Sequence, residues 1–386
     1  MSRVKVLVVT ASGAGHVNPL LPLANALAAQ GDEVVVASDA GNAGIVDKAG
    51  LAFRSVGSGE MAWFERLQAR TRGAPGDGLP PERINHYFLP RLFAEIATDD
   101  MIDDVIAVGH ESEPDLVLFE TYAFAGPLAA DVLGVQAVNH LLGPMLPHEV
   151  LELADDAVRP LWRSFGREAP GYAGVYKDLT IAICPPSLDP LRPPMGNSLP
   201  LRPVTVTEHA TPARTRPLVY VTLGTFFGLN MDVFRVILEG LAAEPVDVIV
   251  TVGENQDPDG LKPLPANARA ERFIPQSELL PSCAVVVHHG GSGTTLGSVA
   301  YGLPQLVVPQ GADNFLNGAV LERAGIGRVL GPDELTPAAV RENVRSLLGD
   351  PDANAAAEEA AREIAVMPTP QEVAHTLRER FHTTPS

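Results

Sequence analysis

The sequence is poor in cysteine, in basic side chains and in long apolar runs. Its two cysteines, Cys184 and Cys283, lack the spacing of a metal site, so buried free thiols are expected. Lys and Arg number 28 against 47 Asp and Glu, and the resulting net charge of −19 repels nucleic acids and anionic membrane surfaces. No apolar run reaches the roughly 18 residues that span a bilayer, and the apolar start at 4–9 breaks at Ser12-Gly13 instead of forming a signal peptide. We therefore expect a cytoplasmic protein with neither a nucleic-acid nor a membrane partner.

Apolar runs of strand length alternate with helical periodicities along the chain, and the alternation starts again after a break. At 386 residues the chain exceeds the size at which a single core usually keeps growing, so two domains are expected. The predicted strands occupy 4–9, 33–38, 115–119, 135–139, 218–224, 246–252, 270–274, 284–289 and 305–309. Because strands that alternate with helices build parallel sheets, the pattern predicts an α/β protein of two Rossmann-like domains.

A proline-rich stretch separates the two halves. Nine prolines fall within 185–217, where apolar periodicity is weak, and this favours an interdomain linker. We divide the chain into a first domain over 1–205, a linker over 206–217, a second domain over 218–366 and a C-terminal helix over 367–386 that could cross back to the first domain.

The first predicted strand leads into the glycine-rich turn TASGAGHVNP, which opens a helix. His16 lies there beside the positive end of the helix dipole, which keeps the imidazole neutral and suits a general base. Glu120 follows a buried strand at the same sheet edge, where a carboxylate can orient such a base. The turn also nearly matches a dinucleotide fingerprint with Asp39 as the ribose-binding acid, although Asn18 replaces the third glycine. An NAD-dependent oxidoreductase therefore stays open, as does a purely structural role for both side chains.

A second turn between a predicted strand and a helix gives stronger evidence for a ligand site. It reads His288-His289-Gly290-Gly291-Ser292-Gly293-Thr294. Its glycines permit close backbone approach to a diphosphate, and its hydroxyls lie near a helix N-terminus, where the dipole favours negative charge. It has no P-loop lysine, which argues against ATP chemistry of that kind. Thr225, Asp313 and Asn314 follow neighbouring strands and bring groups suited to phosphate and sugar hydroxyls to the same edge. The second half thus predicts a diphosphate site with sugar-binding groups beside it.

These segments together resemble the GT-B-fold, inverting glycosyltransferases of family 1, particularly the bacterial enzymes that decorate antibiotics and other natural products. The resemblance covers essentially the whole chain and rests on GHVNPL, PDLVLFE with FAGPLAA, TLGT, RFIPQSELLP, HHGGSGT and PQGADNFLN. The last three in series are the most specific. The resemblance implies two Rossmann-like domains whose parallel sheets face each other across a cleft, the first domain binding the acceptor and the second the nucleotide sugar.

The resemblance also implies roles for individual residues. His16, with Glu120 behind it, would deprotonate the acceptor nucleophile, which attacks the anomeric carbon with inversion as the nucleotide diphosphate leaves. A neutral His289 would donate a hydrogen bond to the leaving group. The implied donor-binding residues are Gly15, Thr225, Ile274, Gln276, His289, Gly291, Ser292, Gly293, Thr294, Asp313 and Asn314. A dTDP- or UDP-sugar would be the co-substrate, without cofactor or metal, since the D-x-D strings at 257–259 and 350–352 have central prolines and are typical of turns.

Three departures from the family pattern limit what the resemblance implies. Glu120 stands where many members have aspartate, which leaves the acid partner of His16 open. Asn314 replaces a common glutamine, so sugar preference does not carry over. The tryptophan typical of plant enzymes is missing near Phe273, which favours a bacterial dTDP or UDP donor.

The segment 57–92 is crowded with glycine and proline near its centre, so we expect an irregular insertion that forms a lid or wall over a bulky apolar ligand, or else a plain surface loop. A lipophilic aglycone, such as a polyketide or aromatic natural product, would suit it. Our candidates for the acceptor wall are Trp63, Phe64, Phe88, His140 and Leu141. A non-catalytic glycosyltransferase-like activator remains an alternative, which the presence of His16 disfavours, and a homodimer is left open.

Overall fold

The computed structural model describes residues 3–71, 78–80, 83–189, 197–203, 215–224, 230–254 and 256–381, and it divides the chain into two compact units. The first unit comprises Met1–Ile183, Leu191–Arg202 and Met367–Ser386, and the second comprises Cys184–Pro190 and Pro203–Val366. Each unit has its own parallel sheet, so the predicted fold class is confirmed. Most of the predicted linker, 206–214, lies outside the described residues. No helix in the described part of the chain combines the length and the apolarity that a membrane span requires.

The first unit is built on a seven-stranded parallel sheet in the order β3-β2-β1-β4-β5-β6-β7. Its central strands β1, KVLVV, and β4, LVLFE, are mainly apolar and almost entirely buried, as strands of parallel sheets usually are. The strands are β1 Lys5–Val9, β2 Glu33–Ser38, β3 Ala52–Ser55, β4 Leu116–Glu120, β5 Gln136–His140, β6 Leu179–Ala182 and β7 Ser198–Pro200. The strand order reverses between β1 and β4, and ligands of such sheets bind beyond the carboxyl ends of the strands at this point.

Helices connect most of these strands. They are α1 Ala14–Val17, α2 Leu21–Ala29, α3 Ala43–Lys48, α4 Glu60–Arg70, α5 Ile84–Phe88, α6 Thr98–Ser112, α7 Ala125–Leu133 and α8 His148–Ser164, with a π-helix over Leu89–Ala97. The prediction that 57–92 is irregular is wrong for most of its described length, because α4 and α5 lie within it. The glycines and prolines that suggested a loop lie mainly at 72–77 and 81–82, outside the described residues.

The second unit repeats the design with a six-stranded parallel sheet in the order β10-β9-β8-β11-β12-β13. Its strands are β8 Leu218–Thr222, β9 Asp247–Thr251, β10 Ala268–Glu271, β11 Val285–His288, β12 Gln305–Val307 and β13 Gly327–Val329. Its helices are α9 Met231–Leu241, α10 Gln276–Leu279, α11 Ser292–Ala300, α12 Asn314–Arg323, α13 Pro337–Gly349 and α14 Pro351–Ala365. Here the order reverses between β8 and β11, which marks the corresponding ligand position.

Two segments pack with residues that are distant from them in the sequence. The helix α15, Pro370–Phe381, packs on α2 in the first unit, where Arg378 Nε lies 3.1 Å from the buried Asp32 carboxylate. The segment Cys184–Pro190, which the sequence placed in the first domain, clusters with the second unit, and Ser187 N donates to Glu363 Oε2 at 2.9 Å.

Candidate active site

His16 and Glu120 meet at the point where the first sheet reverses. β1 ends at Val9, and the chain then turns at Gly13, whose φ of 100° is accessible mainly to glycine, so that His16 lies in the short helix α1. Glu120 is the last residue of β4, and its Oε1 lies 3.1 Å from His16 Nδ1. The His16 side chain is 20% exposed, whereas the Glu120 side chain is fully buried. One side chain of the pair is therefore accessible and the other is held in the core.

The Glu120 carboxylate is surrounded by hydrogen-bond donors. Besides His16, Ala11 N donates to Oε1 at 3.0 Å and Tyr122 N donates to Oε2 at 2.7 Å. Both oxygens of the buried carboxylate therefore accept backbone hydrogen bonds. An ionised carboxylate only accepts, so Nδ1 of His16 carries the proton, and Nε2 is the proton-accepting nitrogen of the neutral ring. This is the arrangement that a general base requires.

Two aromatic rings and a second carboxylate adjoin His16. The rings of Phe93 and Tyr122 lie 5.6 and 5.5 Å from the imidazole and 5.2 Å from each other. Burial raises the pKa of Glu60, and the nearby His16 acts in the opposite direction. The sequence analysis missed all three residues. The position of Tyr122, two residues after Glu120, is the one signal that could have found any of them.

Burial removes three residues from the predicted acceptor wall. Trp63 is fully buried and its indole N–H donates to Asp100 Oδ2 at 2.8 Å, while His140 and Leu141 are each 1% exposed. Burial also lowers the pKa of His140 to about 4, and its Nδ1 donates to Leu141 O at 2.7 Å. These side chains build the core and offer a ligand no surface, so their assignment to the wall is wrong.

Phe64 and Phe88, the other two candidates for that wall, are partly exposed. Their ring centroids lie 5.9 Å apart, and Tyr87 lies 5.3 Å from Phe88. The Tyr87 hydroxyl is 2.9 Å from Thr71 Oγ1, which links the end of α4 to α5. The three rings form an aromatic cluster between these two helices.

In the second unit, the turn after β11 is held from both sides. His288 is buried between Gln305, whose Oε1 lies 2.7 Å from Nε2, and Gly290, whose N–H donates to Nδ1 at 3.1 Å. Burial lowers the pKa of His288 to about 3, so the ring is neutral and can accept at Nδ1. On the other side, Asn317 Nδ2 donates to Gly290 O at 2.7 Å. The peptide groups of the turn are therefore fixed before α11 begins.

His289 is seated between two glycines. A Cβ at Gly224 would lie 2.6 Å from His289 Cε1, and a Cβ at Gly291 would lie 2.4 Å from His289 Nε2. Burial lowers the pKa of His289 to about 4, partly offset by a hydrogen bond with the backbone of Thr222. The ring is therefore neutral at physiological pH and has one N–H to donate.

The N-terminus of α11 offers backbone amides beside a network of polar side chains. Ser292 Oγ donates to Asp313 Oδ2 at 2.8 Å, and Asn317 Nδ2 lies 3.0 Å from both Ser292 Oγ and Asp313 Oδ2. At Gly293 nothing lies within 4 Å of where a Cβ would stand. Free amides at a helix N-terminus suit a diphosphate. Asn317 escaped the sequence analysis, although it lies one helical turn after Asp313.

Gln276, Ile274 and Gly15 are further predicted donor-binding residues. Gln276 Nε2 donates to Thr294 Oγ1 at 3.0 Å, and Ile274 packs on the apolar cluster around Tyr220. In the first unit, nothing lies within 4 Å of a Cβ position at Gly15.

Asn314 and Thr225 were also predicted to bind the donor. Asn314 is 2% exposed and accepts from Gln310 N at 3.3 Å, and its contact with sugar hydroxyls stays a prediction. Thr225 lies outside the described residues.

The acidic residues considered for ribose or metal binding have structural roles. Asp39 is 7% exposed and caps the 3-10 turn Ala40–Asn42, accepting from Gly41 N at 2.8 Å, so it is occupied internally and not placed as a ribose-binding acid. Asp257 likewise accepts from a backbone N–H at the start of a 3-10 turn, as predicted for the first D-x-D string. Asp350 instead caps the helix α14, so the second string opens a helix and the prediction of a turn there is wrong.

Comparison with known proteins places the chain in a family. Family models described as erythromycin biosynthesis protein CIII-like match the chain with their N-terminal domain over residues 85–192 and their C-terminal domain over 235–380. The L-demethylnoviosyl transferase of Streptomyces niveus is 33% identical over 97% of each chain. The aclacinomycin-T 2-deoxy-L-fucose transferase of Streptomyces galilaeus is 31% identical over 97% of this chain and 95% of its own. The crystal structure of the glycosyltransferase VinC in complex with dTDP matches with a TM-score of 0.77 at 26% identity, covering 98% of this chain and 99% of that one.

These matches confirm the GT-B fold and the glycosyltransferase class that the sequence predicted, and they do not favour the oxidoreductase alternative. Two domain models in series and relatives that extend over nearly the whole chain leave no large segment unmatched. The chain belongs to the erythromycin biosynthesis protein CIII-like family of antibiotic glycosyltransferases.

Proposed function

We propose that this glycosyltransferase moves a sugar from a dTDP- or UDP-sugar to a lipophilic natural-product acceptor, with inversion and with His16 as the general base. The observation that carries the proposal is the pair of His16 and Glu120 at the reversal point of the first sheet, 3.1 Å apart, with the carboxylate buried and the imidazole accessible. Relatives named as sugar transferases over nearly the full chain length support the same chemistry.

The proposed reaction begins at His16 Nε2, which takes the proton of the acceptor nucleophile. The nucleophile forms a bond to the anomeric carbon while the bond between that carbon and the β-phosphate oxygen breaks, and the nucleotide diphosphate leaves. Glu120 stays ionised and stabilises the imidazolium, as the carboxylate of a catalytic triad does. The carbon is inverted because one displacement occurs.

For the donor we propose the N-terminus of α11, with the neutral His289 donating to the diphosphate. The dipole at a helix N-terminus and oriented neutral donors stabilise the charge that develops on a leaving phosphate. Asp313, which is partly exposed, is our candidate for a sugar hydroxyl. The presence of dTDP in the VinC structure supports a thymidine diphosphate donor.

For the acceptor we propose an apolar, aromatic-rich molecule. The partly exposed rings of Phe64, Tyr87 and Phe88, together with Phe93 and Tyr122 beside His16, offer aromatic surface of the kind that binds such ligands. The acceptors implied by the names of the relatives are antibiotics, which is compatible with this surface.

The test is mass spectrometry of the purified protein with a matrix of dTDP- and UDP-sugars and of phenolic and macrolide acceptors. We expect one pair to give a product heavier by one glycosyl unit. His16→Ala should lower kcat by about 10²- to 10⁴-fold, the usual contribution of a general base, and should leave dTDP affinity unchanged because the groups proposed to hold the diphosphate lie at the N-terminus of α11 and in the turn before it.

The exposed His110 at the end of α6 supplies the matched control, since His110→Ala removes an imidazole of the same unit away from the dyad. Full activity of His16→Ala would refute the assigned base. Donor binding without transfer to any acceptor, unchanged by His16→Ala, would favour the non-catalytic activator instead.

A further inference from the structure

A buried cluster of two hydroxyls and one amide lies behind the dyad, at the carboxyl end of β2. Thr10 and Ser38 are 0% exposed and Asn42 is 2% exposed. The β1–β2 ladder ends just before the cluster, with Val9 opposite Ala37 and Thr10 N donating to Ala37 O at 3.1 Å. From Thr10 onward, side chains supply the hydrogen bonds that strand pairing no longer provides. None of these side chains was a candidate site residue.

Ser38 is the hub of the cluster. Its hydroxyl oxygen accepts from Thr10 Oγ1 at 2.9 Å and from Asn42 Nδ2 at 2.8 Å. Its single proton is shared between the carbonyl oxygens of Thr10 and Ala11, each 3.3 Å away. Asn42 Nδ2 also lies 3.4 Å from Ala11 O. The hydroxyl thus uses both its acceptor sites and its donor, and it has no capacity left over.

The cluster and the dyad hold opposite ends of one peptide group. Thr10 C=O, which accepts from Ser38, and Ala11 N–H, which donates to Glu120 Oε1 at 3.0 Å, belong to the same planar unit. Because that plane is rigid, fixing its carbonyl fixes the direction of its N–H. The same Glu120 oxygen faces His16 Nδ1, so the Ala11 N–H and the imidazole must share it.

We propose that Ser38 and Asn42 are positioning residues of the catalytic dyad, which hold the Thr10–Ala11 peptide so that Glu120 is aligned on His16. The inference rests on the proposed role of His16 as the base. Ser38 acts on the peptide directly, and Asn42 acts by orienting the Ser38 hydroxyl and by supporting Ala11 O. Removal of either side chain loosens the Ala11 N–H, and the carboxylate then loses one of the three donors that set its position.

The test is a double-mutant cycle, which separates action through Glu120 from a general loss of structure. Ser38→Ala and Asn42→Ala are each made in the wild-type and in the Glu120→Gln background, and kcat and the KM for the nucleotide sugar are measured. In the wild type we expect kcat to fall about tenfold with KM unchanged. In the Glu120→Gln background the same substitutions should change kcat by less than about twofold.

Thr180→Val is the matched control, since Thr180 is a buried hydroxyl on β6 of the same sheet and should leave kcat unchanged. An equal loss in both backgrounds, or no loss in either, would overturn the inference. If Ser38→Ala does not fold, the Asn42→Ala cycle decides, because that variant keeps the Ser38 hydroxyl. Failure of the dyad itself is recognised separately, since His16→Ala and Glu120→Gln would then both keep full activity.

Discussion

Among single residues, Gly291 determines most directly where His289 can lie. A methyl group at residue 291 would stand 2.4 Å from His289 Nε2, a distance that real Cβ contacts do not reach, so the ring must move. We expect Gly291→Ala to weaken dTDP binding at least about tenfold, because an interaction of about 1.4 kcal/mol or more with the diphosphate is lost. Titration calorimetry with dTDP measures the change.

Gly349 offers the control for that substitution, since it lies in the same unit and nothing lies within 4 Å of its Cβ position. Gly349→Ala should bind dTDP as the wild type does. Wild-type affinity in Gly291→Ala would show that the position of His289 does not matter for the diphosphate.

The sequence identified those site residues whose role follows from their position along the chain. His16 and Glu120 were predicted because each follows an apolar strand, and the carboxyl ends of parallel strands share one edge. Trp63 was misjudged because its burial depends on packing partners that are remote in sequence, and no local pattern reveals these. Ser38, inside a strand-like run, gave no signal at all.

Among the elements, the junction of β11, α11 and α12 depends on one side chain. Asn317 Nδ2 on α12 lies within 3.0 Å of Gly290 O, Ser292 Oγ and Asp313 Oδ2, and so ties the turn to the start of α11. We expect Asn317→Ala to destabilise the protein by about 1–3 kcal/mol, the cost of leaving buried polar groups without a partner, and to weaken dTDP binding. Thermal unfolding with and without dTDP measures both effects.

Asn343 on α13 provides a comparison for Asn317, since it donates to Ala339 O within its own helix. Asn343→Ala should leave dTDP binding unchanged. Unaltered stability and affinity in Asn317→Ala would show that the junction is held by the backbone alone.

The elements that the sequence predicted well are the long apolar ones. β1, β4 and β8 are rich in valine and leucine, and their burial on both faces follows from that composition. β3 reads AFRS and is largely exposed, so it is a strand only because β2 supplies its hydrogen bonds. In α4 the apolar spacing of Trp63 and Leu67 was present, but the neighbouring glycines and prolines outweighed it.

At the scale of the whole molecule, both units place their candidate residues at the reversal of strand order. His16 follows β1 and Glu120 ends β4, while Gly224 and His289 follow β8 and β11, and these strands are the central pairs of their sheets. A crevice forms there because the connections on the two sides of the reversal lead to opposite faces of the sheet. The repeated βαβ pattern was visible in the sequence, and for this reason the fold was predicted more completely than the side-chain contacts.

Buried neutral histidines make the stability of the molecule depend on pH, and His140 allows this to be measured in the first unit alone. Both tryptophans, Trp63 and Trp162, lie in that unit, so their fluorescence reports its unfolding. Burial lowers the pKa of His140 from 6.5 to about 4. Below pH 6.5 the unfolded chain therefore binds a proton at this residue that the folded chain does not bind, and the free energy of unfolding decreases as the pH is lowered. Between about pH 7.5 and about pH 5, wild-type protein should lose about 2 kcal/mol more free energy of unfolding than His140→Leu, by urea titration. Equal losses in the two proteins would mean that His140 is protonated in the folded state as readily as in the unfolded chain.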